Sequence, residues 1–425
     1  MDFKEKFNIQ SKKFDSGIKL ITFENHRQPS VSIYGSLPAG SIYEDEDKGG
    51  LARFCSSVVQ RGTKSRSFEQ IFEEIDGMGA TFGMGSSYHR TYFSIKCLKE
   101  VTLSILNLIA DILHNPVFLE EEIERVRREI LTSIKEEEEI PASVASREFM
   151  HLLYPERHPY HHSPNGYERT IKNIQKEDLI KFYQDYYRSN NLIIVIGGDI
   201  SSKLIMEEVE KYLGVLGKPS GSFKEIIPHI ENPPSSQKKV IYIPDKSQAD
   251  IVLGFKGVSR NNEDFYALDQ AVRILGGFGL MGRLGDNIRD RQGLAYHISA
   301  QIGESKGEKP IIISAGVNPR NVSQTVESIL KELNKMRENP VTETESNNVK
   351  GFLKGVIPIK METNERFAGI LHQIEDFNLG ENFLDNYFNL VDEVKIEDIQ
   401  KVAKKYFKVS QWTLVIAGPY KEEKT

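Results

Sequence analysis

Two segments 220 residues apart repeat one pattern, and this repeat constrains the fold more than any other feature of the chain. The first, DLIKFYQDYYRSNNLIIVIGGDI, begins at Asp178, and the second, DIQKVAKKYFKVSQWTLVIAGPY, begins at Asp398. In both, an amphipathic helix is followed by a polar turn and an apolar strand that leads into a glycine. The same offset aligns KLITFENHRQPSVSI from Lys19 with KVIYIPDKSQADIVL from Lys239, so that Ile33 meets Leu253.

Matches at both ends of each half predict a duplicated domain, although any two α+β domains share some of this pattern. A chain of 425 residues is also too long for one ordinary core. The stretch GKPSGSFKEIIPHIENPPSSQKK has the composition of an interdomain linker. We therefore predict an N-terminal domain over 1–216, a linker over 217–239 and a C-terminal domain over 240–425. The mixture of strands and longer helices predicts an α+β fold, with a mostly antiparallel sheet backed by helices in each domain.

Composition and charge exclude several classes of function. Hydrophobic residues make up 39% and charged residues 27% of the chain, which is typical of a globular protein. The net charge of −6 provides no basic field for nucleic acid or an anionic membrane. The start of the chain lacks the apolar core of a secretory signal, and no apolar stretch is long enough to span a membrane, so we expect a cytoplasmic protein. Cys55 and Cys97 lie among apolar neighbours and are expected as buried thiols.

The stretch GGLARFCSSVVQRGT, from Gly49 to Thr63, predicts an amphipathic helix. Its apolar stripe consists of Leu51, Phe54, Cys55, Val58 and Val59. Arg53, Ser56 and Ser57 share another face at positions i, i+3 and i+4, a spacing that metal-binding helices use. None of these three residues is a usual zinc ligand.

The duplicated halves and the GLAxFxxxxxxxGT pattern of this helix resemble peptidase family M16, which includes pitrilysin and the mitochondrial processing peptidase. The resemblance covers nearly the whole chain and is to the small bacterial M16B type. It implies two homologous domains of the LuxS/MPP-like metallohydrolase type. In active members the helix carries the inverted zinc motif H-x-x-E-H, in which the histidines bind zinc and the glutamate activates a water molecule.

The family pattern places Arg53 and Ser57 at the two histidine positions and Ser56 at the glutamate position. A guanidinium stays protonated and repels Zn²⁺, and a serine hydroxyl is neither a good zinc ligand nor a general base by itself. The resemblance therefore implies an inverzincin-like helix that has lost its motif. The alternative for Arg53 and Ser57, which we favour, is an ordinary solvated helix face with no bound metal.

The third zinc ligand of the family is a glutamate that aligns near Ser133, so Ser133 is a further degenerate position. Glu129 and Glu136 lie close enough that a shifted alignment could restore this one ligand. It could not restore the two histidines. We therefore expect no metal or other cofactor in this chain.

The stretch GGFGLMGRLGDNIRDRQGLAYHISA resembles the part of the second M16 domain that carries an Arg/Tyr pair, here Arg289 and Tyr296. Arg289 is predicted at a helix end and Tyr296 at a strand start, so one turn could direct both side chains to one point. A phenol can donate to the oxyanion of a tetrahedral intermediate, and a guanidinium can hold a carbonyl or carboxylate. The alternative is that Arg289 pairs with Asp286 or Asp290 and that Tyr296 fills a core edge.

The stretch GMGATFGMGSSYHRTYFSIKCL predicts a glycine-rich edge strand followed by an ordinary strand. In M16 peptidases a strand at this place pairs with extended substrate, and Ala80, Thr81 and Phe82 occupy the matching positions. An exposed strand and turn without a ligand is an equally good interpretation. The segment PERHPYHHSPNG holds three histidines, but relatives carry a similar loop with structural roles, so no metal is assigned to it.

The resemblance favours a non-zinc subunit of a heterodimeric M16 metallopeptidase, inactive alone. It would supply Arg289 and Tyr296 to a zinc site on an H-x-x-E-H partner, and the two chains would close like a clamshell around a peptide. The alternative is a catalytically inactive scaffold or peptide-binding homologue, possibly a homodimer. An autonomous peptidase with another metal arrangement is disfavoured, because no His, Glu and Asp cluster near residue 53 replaces the lost ligands. A dimer of some kind is expected.

Overall fold

The structure is a computed structural model that describes residues 3–214 and 225–422. Its strands are β1 (Gln10–Lys13), β2 (Lys19–Glu24), β3 (Ser30–Leu37), β4 (Thr81–Ser86), β5 (Thr91–Leu98), β6 (Ile193–Gly198), β7 (Gln237–Tyr242), β8 (Ala249–Phe255), β9 (Ala295–Ile302), β10 (Ile311–Val317) and β11 (Thr413–Gly418). The helices of the first half are α1 (Phe3–Lys6), α2 (Leu51–Val59), α3 (Phe68–Gly77), α4 (Thr102–His114), α5 (Glu120–Glu138), α6 (Pro141–Leu153), α7 (Glu168–Asn173), α8 (Lys176–Tyr186) and α9 (Ser202–Leu213). Those of the second half are α10 (Phe265–Val272), α11 (Val322–Glu338), α12 (Glu343–Lys360), α13 (Asn364–Asp376), α14 (Phe383–Glu393) and α15 (Ile396–Tyr406).

The strands form two sheets of related topology. The first has the order β1-β2-β6-β3-β5-β4 and the second has the order β7-β11-β8-β10-β9. Each sheet contains one parallel pair, β2 with β6 and β7 with β11, and its other pairs are antiparallel. Two mostly antiparallel sheets with packed helices confirm the predicted α+β fold.

The strand registers show that the two halves do not correspond at one constant offset. Ile33 of β3 pairs with Ile196 of β6, and Ile251 of β8 pairs with Ile416 of β11. Since Ile196 and Ile416 are equivalent, Ile33 corresponds to Ile251 and not to Leu253. The alignment at the front of each half was therefore wrong by two residues. A slip of two leaves every side chain on the same face of its strand, so the apolar pattern does not reveal it.

The chain divides into two compact units that draw on both halves of the sequence. Unit 1 consists of the described residues within Met1–Ile134, Ser163–Glu225 and Pro358–Asp385. Unit 2 consists of those within Lys135–His162, Ile226–Ile357 and Asn386–Thr425. The units therefore do not follow the contiguous ranges 1–216 and 240–425. Of the predicted linker at 217–239, residues 217–224 lie outside the described residues, and residues 237–239 already belong to β7.

Two helices are exchanged between the halves. Helix α6, from the first half, packs against β8 and β11 of the second sheet, and α13, from the second half, packs against β3 and β6 of the first. Phe367 of α13 lies 4.7 Å from Phe23 between ring centroids. Phe149 of α6 lies over Gly254 of β8, where an added Cβ would come within 2.7 Å of the ring. Gly254 thus permits the close approach of helix and sheet.

Each unit has its own apolar core. The predicted stripe of α2 is buried in unit 1, together with Cys55 and Cys97, which confirms that both cysteines are buried free thiols. In unit 2 the core lies between the second sheet and its helices. None of the helices in the described part of the chain is both long and apolar enough to cross a membrane.

Candidate functional site

Helix α2 carries the degenerate motif, and a carboxyl group from an earlier turn caps its start. Gly50 precedes the helix with a φ of +91°, which a glycine adopts without strain. Glu44 accepts hydrogen bonds from the backbone N–H groups of Gly50 at 2.8 Å and Ala52 at 2.7 Å. The Glu44 side chain thus satisfies donors that the first turn of a helix leaves open.

The stability of this cap is expected to depend on pH. Burial raises the pKa of Glu44 to about 8 from 4.5, although the two backbone donors act in the opposite direction. The folded chain therefore holds this proton more tightly than the unfolded chain, so the contribution of Glu44 to stability decreases as pH rises from 4.5 to about 8.

Replacing Glu44 with glutamine removes this titration, so the stability of the variant has no contribution from position 44 that changes with pH. The free energy of unfolding of the wild type, relative to Glu44→Gln, should therefore fall between about pH 5 and pH 8. Urea denaturation of both proteins at the two pH values measures it. A difference that does not change with pH would contradict the raised pKa.

The motif face of α2 is only partly solvated, because Arg53 and Ser57, for which a solvated face is predicted, are half-buried. Ser56 is fully buried, and its hydroxyl donates to the backbone carbonyl of Arg53 at 2.8 Å. Arg53 donates from Nη2 to Ser133 Oγ at 3.2 Å, which joins α2 to α5. Arg53 and Ser133, which the M16 pattern assigns to two different zinc ligands, are thus in contact. A protonated guanidinium at this point does not fit a zinc ion.

A cavity of about 220 Å³ lies beside this face. It is lined by Arg53, Ser57, Gln60 and Arg61 together with Phe68, Phe72, Val126, Glu129 and Ile130. Glu129, which could have restored the third ligand, is held by Arg61 Nη2 at 2.5 Å. The sequence did not predict this ion pair or the cavity, because neither follows from spacing on one helix. Within residues 3–214 and 225–422, no three His, Cys, Asp or Glu side chains are placed to hold a metal.

Arg289 and Tyr296 lie on either side of a short connection in unit 2. Arg289 belongs to a π-helical turn, Gly285–Arg291, and a glycine with a φ of +63° follows at position 293. Both side chains are exposed, Tyr296 to 59%. Asp286 is bound by Arg291 Nη2 at 2.7 Å, and no ion pair among the described residues joins Arg289 to Asp286 or Asp290. Tyr296 does not fill a core edge.

Strand β9 bulges at Tyr296. Gly316 of β10 pairs with His297, but the next residue, Val317, pairs with Ala295, so Tyr296 is left between two pairs. Tyr296 and His297 are therefore both exposed, although consecutive strand residues normally face opposite sides. Bulges commonly redirect side chains next to functional sites. The sequence carried no signal of this bulge.

The predicted peptide-binding strand is β4, which lies at the edge of the first sheet beside β5. Thr81 and Phe82 begin the strand, and Ala80 immediately precedes it and is buried. An added Cβ at Gly85 would meet no neighbouring atom within 4 Å. On the side away from β5 the strand has no partner strand among the described residues, so an extended chain could pair with its backbone there.

The histidine loop is held by hydrogen bonds to backbone. His158 is buried and lies with Nε2 3.0 Å from the carbonyl oxygen of Pro228, while its Nδ1 accepts from the N–H of Tyr160. His161 Nδ1 lies 2.8 Å from the carbonyl oxygen of Tyr154. Burial lowers the pKa of His158, which favours the neutral ring. These contacts give His158 and His161 a structural role.

Two family models match successive parts of this chain. The model described as insulinase (peptidase family M16) matches residues 19–157, and the model described as peptidase M16 inactive domain matches residues 173–353. An uncharacterized zinc protease of Rickettsia felis is 26% identical over 98% of each chain. A protein of Helicobacter pylori named non-peptidase homolog YmxG is 22% identical, over 96% of this chain and 91% of its own.

Solved structures share the fold. The crystal structure of a peptidase M16 inactive domain from Pseudomonas fluorescens superposes with a TM-score of 0.89 at 24% sequence identity, and the match covers 98% of this chain and 100% of that one. The family models cover most of both halves, and the similarity extends over nearly the full length of this chain and its relatives. The protein therefore belongs to peptidase family M16.

Proposed function

We propose that this chain is the non-zinc subunit of a cytoplasmic, heterodimeric M16 peptidase. Its Arg289 and Tyr296 would act on peptides bound at the zinc site of a partner that carries the H-x-x-E-H motif. The main support is the contrast between the two sites. The zinc-binding face of α2 is replaced at every motif position, whereas Arg289 and Tyr296 remain exposed beside a bulged edge strand.

The two retained side chains suit peptide chemistry. The Tyr296 hydroxyl can donate to the oxygen that becomes negative as a peptide carbonyl is attacked. The Arg289 guanidinium can hold a carbonyl or carboxylate of the same peptide. Extended substrate would add to the edge of β4 at Ala80, Thr81 and Phe82 by main-chain hydrogen bonds.

Activity in a mixture of subunits tests the proposal. The full chain is assayed with a fluorogenic peptide alone and after mixing with an H-x-x-E-H M16 subunit from the same genome. We expect no cleavage by the chain alone and cleavage by the mixture. Arg289→Ala should lower the rate of the mixture at least about tenfold, since it removes a charged hydrogen-bonding group from the substrate.

Arg157→Ala is the matched control, because Arg157 is also an exposed arginine of unit 2 but lies in the loop after α6, where Tyr160 contacts Ser305 at the end of the β9–β10 hairpin away from the bulge. Its rate in the mixture should equal that of the wild type. Equal rates for Arg289→Ala and the wild type would contradict the proposed role.

A second candidate is a catalytically inactive scaffold or peptide-binding homologue, possibly a homodimer. It is supported by the similarity of this chain to the M16 inactive domain and to the Helicobacter pylori protein named non-peptidase homolog. Under this alternative no mixture gains activity, and sedimentation of the purified chain gives a homodimer.

A further inference from the structure

We infer that an apolar cavity in unit 2 binds a large apolar side chain of a peptide. The inference rests on the proposed function in taking a peptide substrate as the ligand. The cavity has a volume of about 390 Å³ and lies wholly within unit 2, between the turn Gly279–Met281 and helix α12. This size, with a mostly apolar lining and a few polar groups, is typical of ligand pockets.

The apolar side chains of the cavity are open to solvent. Met281 is 86% exposed, and Phe352 of α12 is 43% exposed. Phe278 meets Phe352 edge to face, with 4.9 Å between the ring centroids, and Ile274 completes the apolar lining. Apolar residues that are exposed together mark a binding site, and a methionine is flexible enough to adapt to ligands of different shape. The walls therefore suit an aromatic or long aliphatic side chain.

The charge at the cavity is balanced within the protein. Glu345 lines the cavity, but Arg283 binds this carboxylate through Nε at 2.6 Å and Nη2 at 2.9 Å. Burial acts to raise the pKa of Glu345, but the hydrogen bonds from Arg283 and Thr342 outweigh it and lower this pKa to about 2, so the ion pair persists at neutral pH. The other described residues of the lining are uncharged. An uncharged ligand group therefore suits the cavity.

The position of the cavity favours a peptide as its occupant. The turn Gly279–Met281 packs against the π-helical turn that carries Arg289, and it also packs against β9, which carries Tyr296. Asn347 and Asn348 of α12 place exposed amides beside the apolar walls, and an amide can donate to and accept from a peptide backbone. A peptide that contacts Arg289 and Tyr296 would thus lie beside the cavity.

Fluorescence anisotropy of the isolated full chain tests the inference with three labelled peptides of one sequence. The peptides differ only at the central residue, which is phenylalanine, leucine or alanine. We expect the phenylalanine and leucine peptides to bind at least about tenfold more tightly than the alanine peptide, because burial of the larger apolar side chain is favourable.

Variants assign the preference to the cavity. Gly351 of α12 lines the cavity, and an added Cβ there would meet no neighbouring atom within 4 Å. Gly351→Leu should therefore fill the space of the ligand and abolish the preference, and leucine suits a helix better than glycine. Thr344→Leu is the matched control, because Thr344 is also an exposed residue of α12 but does not line the cavity, and side chains on a helix lean toward its start. Thermal melting of each variant confirms that it is folded before its affinities are compared.

Equal affinities of the wild type for the three peptides, including no measurable binding of any, would overturn the inference. So would a preference that survives in Gly351→Leu, or one that Thr344→Leu also loses. The assay uses no partner subunit and measures no cleavage, so failure of the mixture to cleave peptides would remove the proposed function and leave this site standing. Cleavage by the mixture together with equal affinities would remove the role of the cavity and leave the proposed function standing.

Discussion

Replacing Tyr296 with phenylalanine is expected to lower kcat for peptide cleavage by the mixed dimer about 100-fold. The substitution removes one hydroxyl and keeps a ring that is 59% exposed, so the fold should be unaffected. A donor directed at a developing oxyanion binds the transition state more strongly than the substrate. The loss should therefore appear in kcat, with little change in KM. Steady-state kinetics with a fluorogenic peptide measures both constants.

Tyr242→Phe provides the matched control for this experiment. Tyr242 is 51% exposed and ends β7, which lies at the opposite edge of the same sheet. The mixture that contains this variant should keep the wild-type kcat. If Tyr296→Phe also keeps it, the hydroxyl takes no part in the reaction, and the proposed role of Tyr296 is wrong.

Replacing Phe149 with alanine is expected to lower the free energy of unfolding by about 3–5 kcal/mol. The ring is fully buried and packs over Gly254 in β8. Because the backbone of a central strand cannot move into the space, much of the cavity left by the ring should remain empty. Trp412, the single tryptophan of the chain, immediately precedes β11 of the same sheet. Its fluorescence in a urea titration therefore reports the unfolding of unit 2.

Phe352→Ala is the control for this prediction. Phe352 lies on α12 in the same unit but is 43% exposed, so its removal should cost less than about 1.5 kcal/mol. A loss at Phe149 no larger than that at Phe352 would mean that the exchanged helix α6 adds little to the stability of the second sheet.

The local elements could be predicted well from the sequence. The repeated pattern predicted amphipathic helices near Asp178 and Asp398, and the structure has helices at Lys176–Tyr186 and Ile396–Tyr406. The apolar stripe of α2 is buried as its spacing predicted. In these cases the apolar residues that give the sequence its helical period are also the residues that form the buried face. The sequence alone therefore predicts both the helix and its buried side.

The sequence does not predict features that depend on which element packs against a given helix or strand. An amphipathic helix indicates that one face is buried but not against which sheet, so the exchange of α6 and α13 was not visible. The bulge at Tyr296 is set by the pairing of β9 with β10, which lies beyond the reach of local spacing. The cavity beside Arg53 needs side chains from α2, α3 and α5, and only their packing brings these together.

The exchanged helices also have a consequence for how the two halves can evolve. If either half were deleted, transferred to another gene or replaced by a distant homologue, one sheet would lose the helix that covers it, and an apolar surface would be exposed. Recombination at the boundary between the halves would therefore destabilise the sheet that loses its helix. Single substitutions on a helix face are not restricted in this way, so the motif positions of α2 can change while the framework around them is kept.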